Sequence, residues 1–111
     1  MICETKKVGN VNIFVFAGDV VFSNLKDLRE IVKREVGNAT SNKFLLDLTR
    51  VGMIDSAGVG FIVSVYKTVL SSNGSFALIN PSEAVENVLQ TVGLTRILKV
   101  YESEDEALKA V

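Results

Sequence analysis

Histidine is absent from this 111-residue chain, and cysteine and proline each occur once. Without histidine there is no Ser-His or Cys-His nucleophile pair, no imidazole base and no histidine metal site. The lone thiol, Cys3, can close no internal disulfide, which excludes a stapled secreted scaffold and fits a reducing compartment. An excess of one charge is missing too. The 12 Lys and Arg against 13 Asp and Glu leave a net charge of −1, too little positive field to hold a nucleic-acid backbone or an acidic membrane. No apolar run reaches the roughly 18–20 residues that cross a bilayer, and the first residues, with Glu4, Lys6 and Lys7, lack the apolar stretch of a signal peptide. Neither a P-loop nor a Gly-x-Gly-x-x-Gly turn occurs. Asp47 ends a strand as a receiver aspartate would, but without the acidic cluster needed to hold Mg²⁺. These absences predict a cytoplasmic, non-enzymatic protein with no metal, cofactor, nucleic-acid partner or membrane span.

What is present suits one hydrophobic core. Apolar residues make up 48% of the chain, so residues 1–111 are expected to form a single domain. Met1–Val8 alternates weakly and Val11–Ala17 is rich in β-branched and aromatic residues, with Gly9-Asn10 between them as a tight turn; this predicts an antiparallel hairpin. Lys6 and Lys7 suit an exposed sheet edge. A helix follows, with Leu25, Leu28, Ile31, Val32 and Val36 on one face, capped by Ser23 or Asn24 and ended by Gly37-Asn38.

Lys43–Leu48 reads as a buried strand. From Ser56 a second helix carries Val59, Ile62, Val63, Tyr66, Val69 and Leu70 at helical spacing and stops at Asn73-Gly74. Phe76–Ile79 is a strand, and Asn80-Pro81-Ser82-Glu83 opens a third helix with Pro81 at its first position and Val85, Val88, Leu89 and Val92 facing inward. Gly93-Leu94 ends it in a left-handed turn, Ile97–Tyr101 forms a short last strand, and Ser103-Glu104-Asp105-Glu106 is a capping box for a last helix. The order β-β-α-β-α-β-α-β-α predicts an α/β fold on a mixed sheet with about four helices.

The least ordinary stretch is Leu46–Gly60, which joins the third strand to the second helix. Ser56 stands where an N-cap belongs, at the positive end of a helix. Gly58 and Gly60 lie in the first turns, where each costs about 1 kcal/mol relative to alanine, so a close backbone approach or a partner is expected to offset them. Asp55 precedes the serine and can meet the helix start or whatever docks there.

This segment resembles the signature of STAS domains, specifically bacterial anti-sigma factor antagonists, in which an apolar-Asp-Leu-Ser/Thr strand end leads to Asp-Ser-Ser/Thr-Gly-Leu/Val-Gly. The element order and the Gly18-Asp19-Val20 step are also similar. The resemblance implies phosphorylation of Ser56 by a partner that is both anti-sigma factor and serine kinase, reset by a phosphatase. It implies docking through Asp19, Val20, Val21, Phe22, Asp55, Ser56, Ala57 and Gly58. Two positions depart from the pattern: Ala57 replaces a second hydroxyl residue, and Val21 a frequent acidic one. Two alternatives stay open, the first motivated by these two positions. One is a constitutive STAS scaffold subunit of a signalling or lipid-transport complex; the other is a small nucleotide-binding sensor with its ligand phosphate against Gly58 and Gly60.

Overall fold

The computed structural model describes residues 2–111, so the expectation that Met1 begins the first strand lies outside the described residues. Five strands pair in the order β1-β2-β3-β4-β5: β1 is Ile2–Val8, β2 Val11–Ala17, β3 Lys43–Arg50, β4 Ser75–Ile79 and β5 Val100–Tyr101. Strands β1 and β2 form the expected antiparallel hairpin, with Val8 opposite Val11. Gly9 supplies the positive φ of 59° that the two-residue turn requires. All later pairs are parallel, because each following strand returns through a helix. The helices are α1 (Leu25–Asn38), α2 (Ser56–Ser71), α3 (Glu83–Thr91) and α4 (Glu104–Ala110).

The sheet is covered on both faces, which is why β2, β3 and β4 read as nearly continuous apolar runs. Phe14, Phe16, Phe44, Leu46, Phe76 and Leu78 face one side and pack with α1, α2 and α3. There Phe14 stacks on Phe44 at 5.9 Å and Phe16 on Phe61 at 6.2 Å. On the other side Val11, Ile13, Leu45, Ala77 and Ile79 meet Ala107 of α4.

Several local expectations need correction. Helix α2 turns Gly58, Phe61, Ile62, Val65 and Val69 inward, while Leu70 is exposed. Gly58 packs against the backbone of Val20, in the loop after β2, and the buried stripe runs i, i+3, i+4, i+7, i+11 from it. In α3 the cap is Ser82, whose side chain accepts from Val85 N; Pro81 therefore precedes the helix instead of opening it, and Val92 is exposed. A 3₁₀ turn at Phe22–Asn24 leads into α1. Asn24 occupies the cap position without a side-chain capping bond, and its Nδ2 donates to Asp19 O at 2.9 Å. Helix α1 runs through Gly37 and Asn38, and its buried residues are Leu25, Leu28 and Val32. The last strand shortens to Val100–Tyr101 because Leu94–Arg96 forms a 3₁₀ turn after Gly93, whose φ of 79° is the expected left-handed stop. Ser103 caps α4 as expected, accepting from Glu106 N.

Candidate functional site

Strands β2 and β3 run parallel, so the segments leaving their carboxyl ends emerge together. Gly18 N donates to Arg50 O at 3.1 Å and Val20 N to Met53 O at 2.9 Å. Val20 and Ile54 form an isolated parallel bridge, and both side chains are buried. The 18–24 loop and the 51–55 loop are thus one stitched surface rather than two independent ones.

Helix α2 closes on this pair through Gly58. A Cβ at that position would lie 2.0 Å from Val20 O and 2.8 Å from Ile54 Cγ1, so only glycine lets the helix start approach the backbone. Gly60 has open space around it. The close approach expected of both glycines therefore belongs to Gly58 alone. It also means that Gly58 presents no open backbone to a phosphate, so of the two glycines only Gly60 has open space beside it.

The helix cap is Asp55, not Ser56. Asp55 has extended backbone angles, and its Oδ1 accepts from Gly58 N at 2.8 Å while Oδ2 accepts from Phe22 N at 3.0 Å. One carboxylate thereby fastens the 18–24 loop to the first turn of α2. Sequence pattern alone does not separate the two, because both residue types fill that role; Asp55 adds a second oxygen, which accepts from Phe22 N, 33 positions away. Ser56 becomes the first residue of the helix, and its side chain is exposed.

Hydrogen bonds from Gly58 N and then Phe22 N favour the ionised form, so the Asp55 carboxyl is held below the usual carboxylate range. A group with a depressed folded pKa adds stability that is complete above its unfolded value, about 3.9, and is lost as pH falls through the folded value. Urea denaturation across acid pH is expected to show this loss in the wild type and a shallower fall in Asp55→Asn, which can still cap; equal slopes would mean that ionisation of the Asp55 carboxyl contributes nothing.

The remaining expected partner residues differ in accessibility. Asp19 is exposed, with Oδ1 lying over Gly52 where a Cβ would come within 3.2 Å of it. Val21 and Ala57 are half-buried. Phe22 is 77% exposed, whereas Val20 is 0% exposed; the Val20 side chain presents nothing to a partner and holds the loops together. Gly58 is buried for the same reason. Met53, which the sequence reading passed over, is 55% exposed. Its signal was the alternation Met53-Ile54, in which the bridge turns Ile54 inward and leaves Met53 outward.

Asp47 is engaged locally: its Oδ1 accepts from Thr49 N at 2.9 Å and from Thr49 Oγ1 at 2.6 Å, a side-chain turn at the strand end. Cys3 is half-buried and its thiol is pushed up to about 11, first by burial and then by the Glu35 charge, which keeps it a poor nucleophile. Among the described residues no helix is long and apolar enough to cross a membrane.

The STAS domain family matches residues 3–107. A Thermotoga neapolitana protein named "putative anti-sigma factor antagonist" is 40% identical over 106 residues, 96% of this chain and 94% of that one. The crystal structure of a Thermotoga maritima protein of the same description superposes with a TM-score of 0.92 at 37% identity, covering 98% of this chain and 93% of the other. The anti-sigma factor antagonist SpoIIAA, solved unphosphorylated and phosphorylated, shares the fold with TM-scores of 0.83 and 0.75 at 20% and 19% identity; the two alignments cover 98% of this chain each, and 95% and 98% of SpoIIAA. The chain belongs to the STAS domain family and is similar to proteins described as putative anti-sigma factor antagonists.

Proposed function

We propose that the protein is a cytoplasmic anti-sigma factor antagonist whose unphosphorylated form binds an anti-sigma factor with serine kinase activity and so releases a sigma factor. Phosphorylation of Ser56 by that kinase ends the interaction, and a phosphatase restores it. The carrying observation is the exposed Ser56 beside Asp55, the carboxylate that ties both loops to α2, with Phe22 and Met53 exposed on those loops. Asp19, Val21 and Ala57 complete the proposed docking surface, with Val20 and Gly58 as its buried support.

The chemistry asks little of this chain. The kinase transfers the γ-phosphoryl group of its Mg²⁺-bound ATP to Ser56 Oγ, the hydroxyl loses its proton, and ADP leaves. Phosphoserine then carries about −1.5 to −2 charges next to the Asp55 carboxylate. The α2 N-terminus moderates that repulsion, but Gly58 N–H is already taken by Asp55. The new charge therefore competes for the helix start and loosens the Asp55 to Phe22 link, while its hydration opposes burial in the interface. The switch acts on the docking loops and leaves the sheet intact.

Incubation with the cognate kinase and MgATP, followed by intact-mass measurement, is expected to add one phosphoryl group to the wild type and none to Ser56→Ala. No mass gain, or an equal gain in the variant, would remove Ser56 from this role.

A further inference from the structure

Strand β1 is at the sheet edge, with no strand on its outer side among the described residues. Its seven residues, Ile-Cys-Glu-Thr-Lys-Lys-Val, leave Ile2 and Val8 59% and 38% exposed. Charged edge strands generally resist pairing with other chains. Here the placement of the charges makes one pairing an exception.

Side chains alternate along the strand. Glu4 and Lys6 stand opposite Val15 and Ile13 of β2, on the α4 side of the sheet with Ile2 and Val8. The tight turn closes on the Val8–Val11 pair, which makes that pair a hydrogen-bonded one. Alternation then gives β2 the backbone groups of Ile2, Glu4, Lys6 and Val8 and leaves those of Cys3, Thr5 and Lys7 facing outward.

We infer that two copies of this chain pair antiparallel through β1 about a two-fold axis at Thr5, joining their sheets into one. In this register the outward groups of Thr5 meet their own copies, and those of Cys3 meet those of Lys7. Glu4 then faces Lys6 in both directions, in the non-hydrogen-bonded pairs where side chains lie closest. Ile2 faces Val8, so the two exposed apolar residues cover each other. Sliding the copies to centre on Glu4 would oppose Glu4 to itself, and centring on Lys6 would oppose Lys6 to itself; like charges directly opposite are unfavourable. The self-complementary charge pattern thus selects both the occupant, a second copy, and the register, as an isologous interface requires. Lys6 also reaches Glu104 of its own chain at 2.6 Å, a contact on the same face that must be separated from the intermolecular one in any test.

Sedimentation equilibrium of the full chain, from about 10 µM to about 1 mM, brackets the weak association expected of so small a contact. All forms carry Glu104→Gln, so that the intramolecular pair does not enter. The parent is expected to dimerise within this range. Glu4→Lys and Lys6→Glu are each expected to weaken the dimer about tenfold or more, since each sets like charges opposite one another twice. Their combination restores the parent affinity to within about threefold. A parent that stays monomeric throughout, single reversals that leave the dimer unchanged, or a combination that fails to restore it would each overturn the proposal; far-UV circular dichroism confirms that every variant is folded.

Discussion

Gly58→Ala is expected to destabilise the domain by about 3 kcal/mol or more, although alanine in a helix normally stabilises relative to glycine by about 1 kcal/mol. The added methyl would stand 2.0 Å from Val20 O, and a backbone oxygen cannot turn aside as a side-chain end can. That oxygen also accepts from Asp55 N, so pushing it away disturbs the bond that sets the helix entry as well. Gly60→Ala is the built-in control. Nothing lies within 4 Å of a Cβ there, so the ordinary helix preference should prevail and raise stability by about 0.5–1 kcal/mol. Urea denaturation of the two variants should move the midpoint in opposite directions. If both rose, the loop-to-helix contact would not be rigid.

The second large effect concerns binding. Ser56→Glu, or enzymatic phosphorylation of Ser56, is expected to weaken affinity for the proposed anti-sigma partner about a hundredfold, the equivalent of about 3 kcal/mol, because a charge that must be buried without a matching partner opposes association. Ser56→Ala should bind almost as the wild type does, since the serine side chain is exposed and the cap is the Asp55 carboxylate. The comparison by titration calorimetry separates the charge from the lost hydroxyl. Equal affinity of Ser56→Glu and wild type would instead favour the constitutive scaffold, the alternative that Ala57 and Val21 keep open.

The order of elements was legible because each signal was local. Apolar runs bounded by Gly9-Asn10, Gly93 and Ser103 identify turns, stops and caps that depend on a few neighbouring residues. The segment Asp55-Ser56-Ala57-Gly58 was legible as the place of interest for the same reason. Roles within it were not. Asp55 and Ser56 are both competent caps, and the second role of Asp55, holding Phe22 N, involves an N–H 33 residues distant in sequence.

Composition and periodicity alone therefore determined the class of fold, the hairpin, the four helices and the exclusion of histidine-based chemistry. Tertiary structure decided which face of α2 is buried, that Val20 is buried while Phe22 and Met53 are displayed, and that Gly58 but not Gly60 stands against another backbone. The physical reason is range. Propensity, capping and hydrophobic period act over a turn or a strand, whereas the carboxylate of Asp55 and the Cα of Gly58 acquire their roles only when the parallel pairing of β2 and β3 brings Val20 and Phe22 to them.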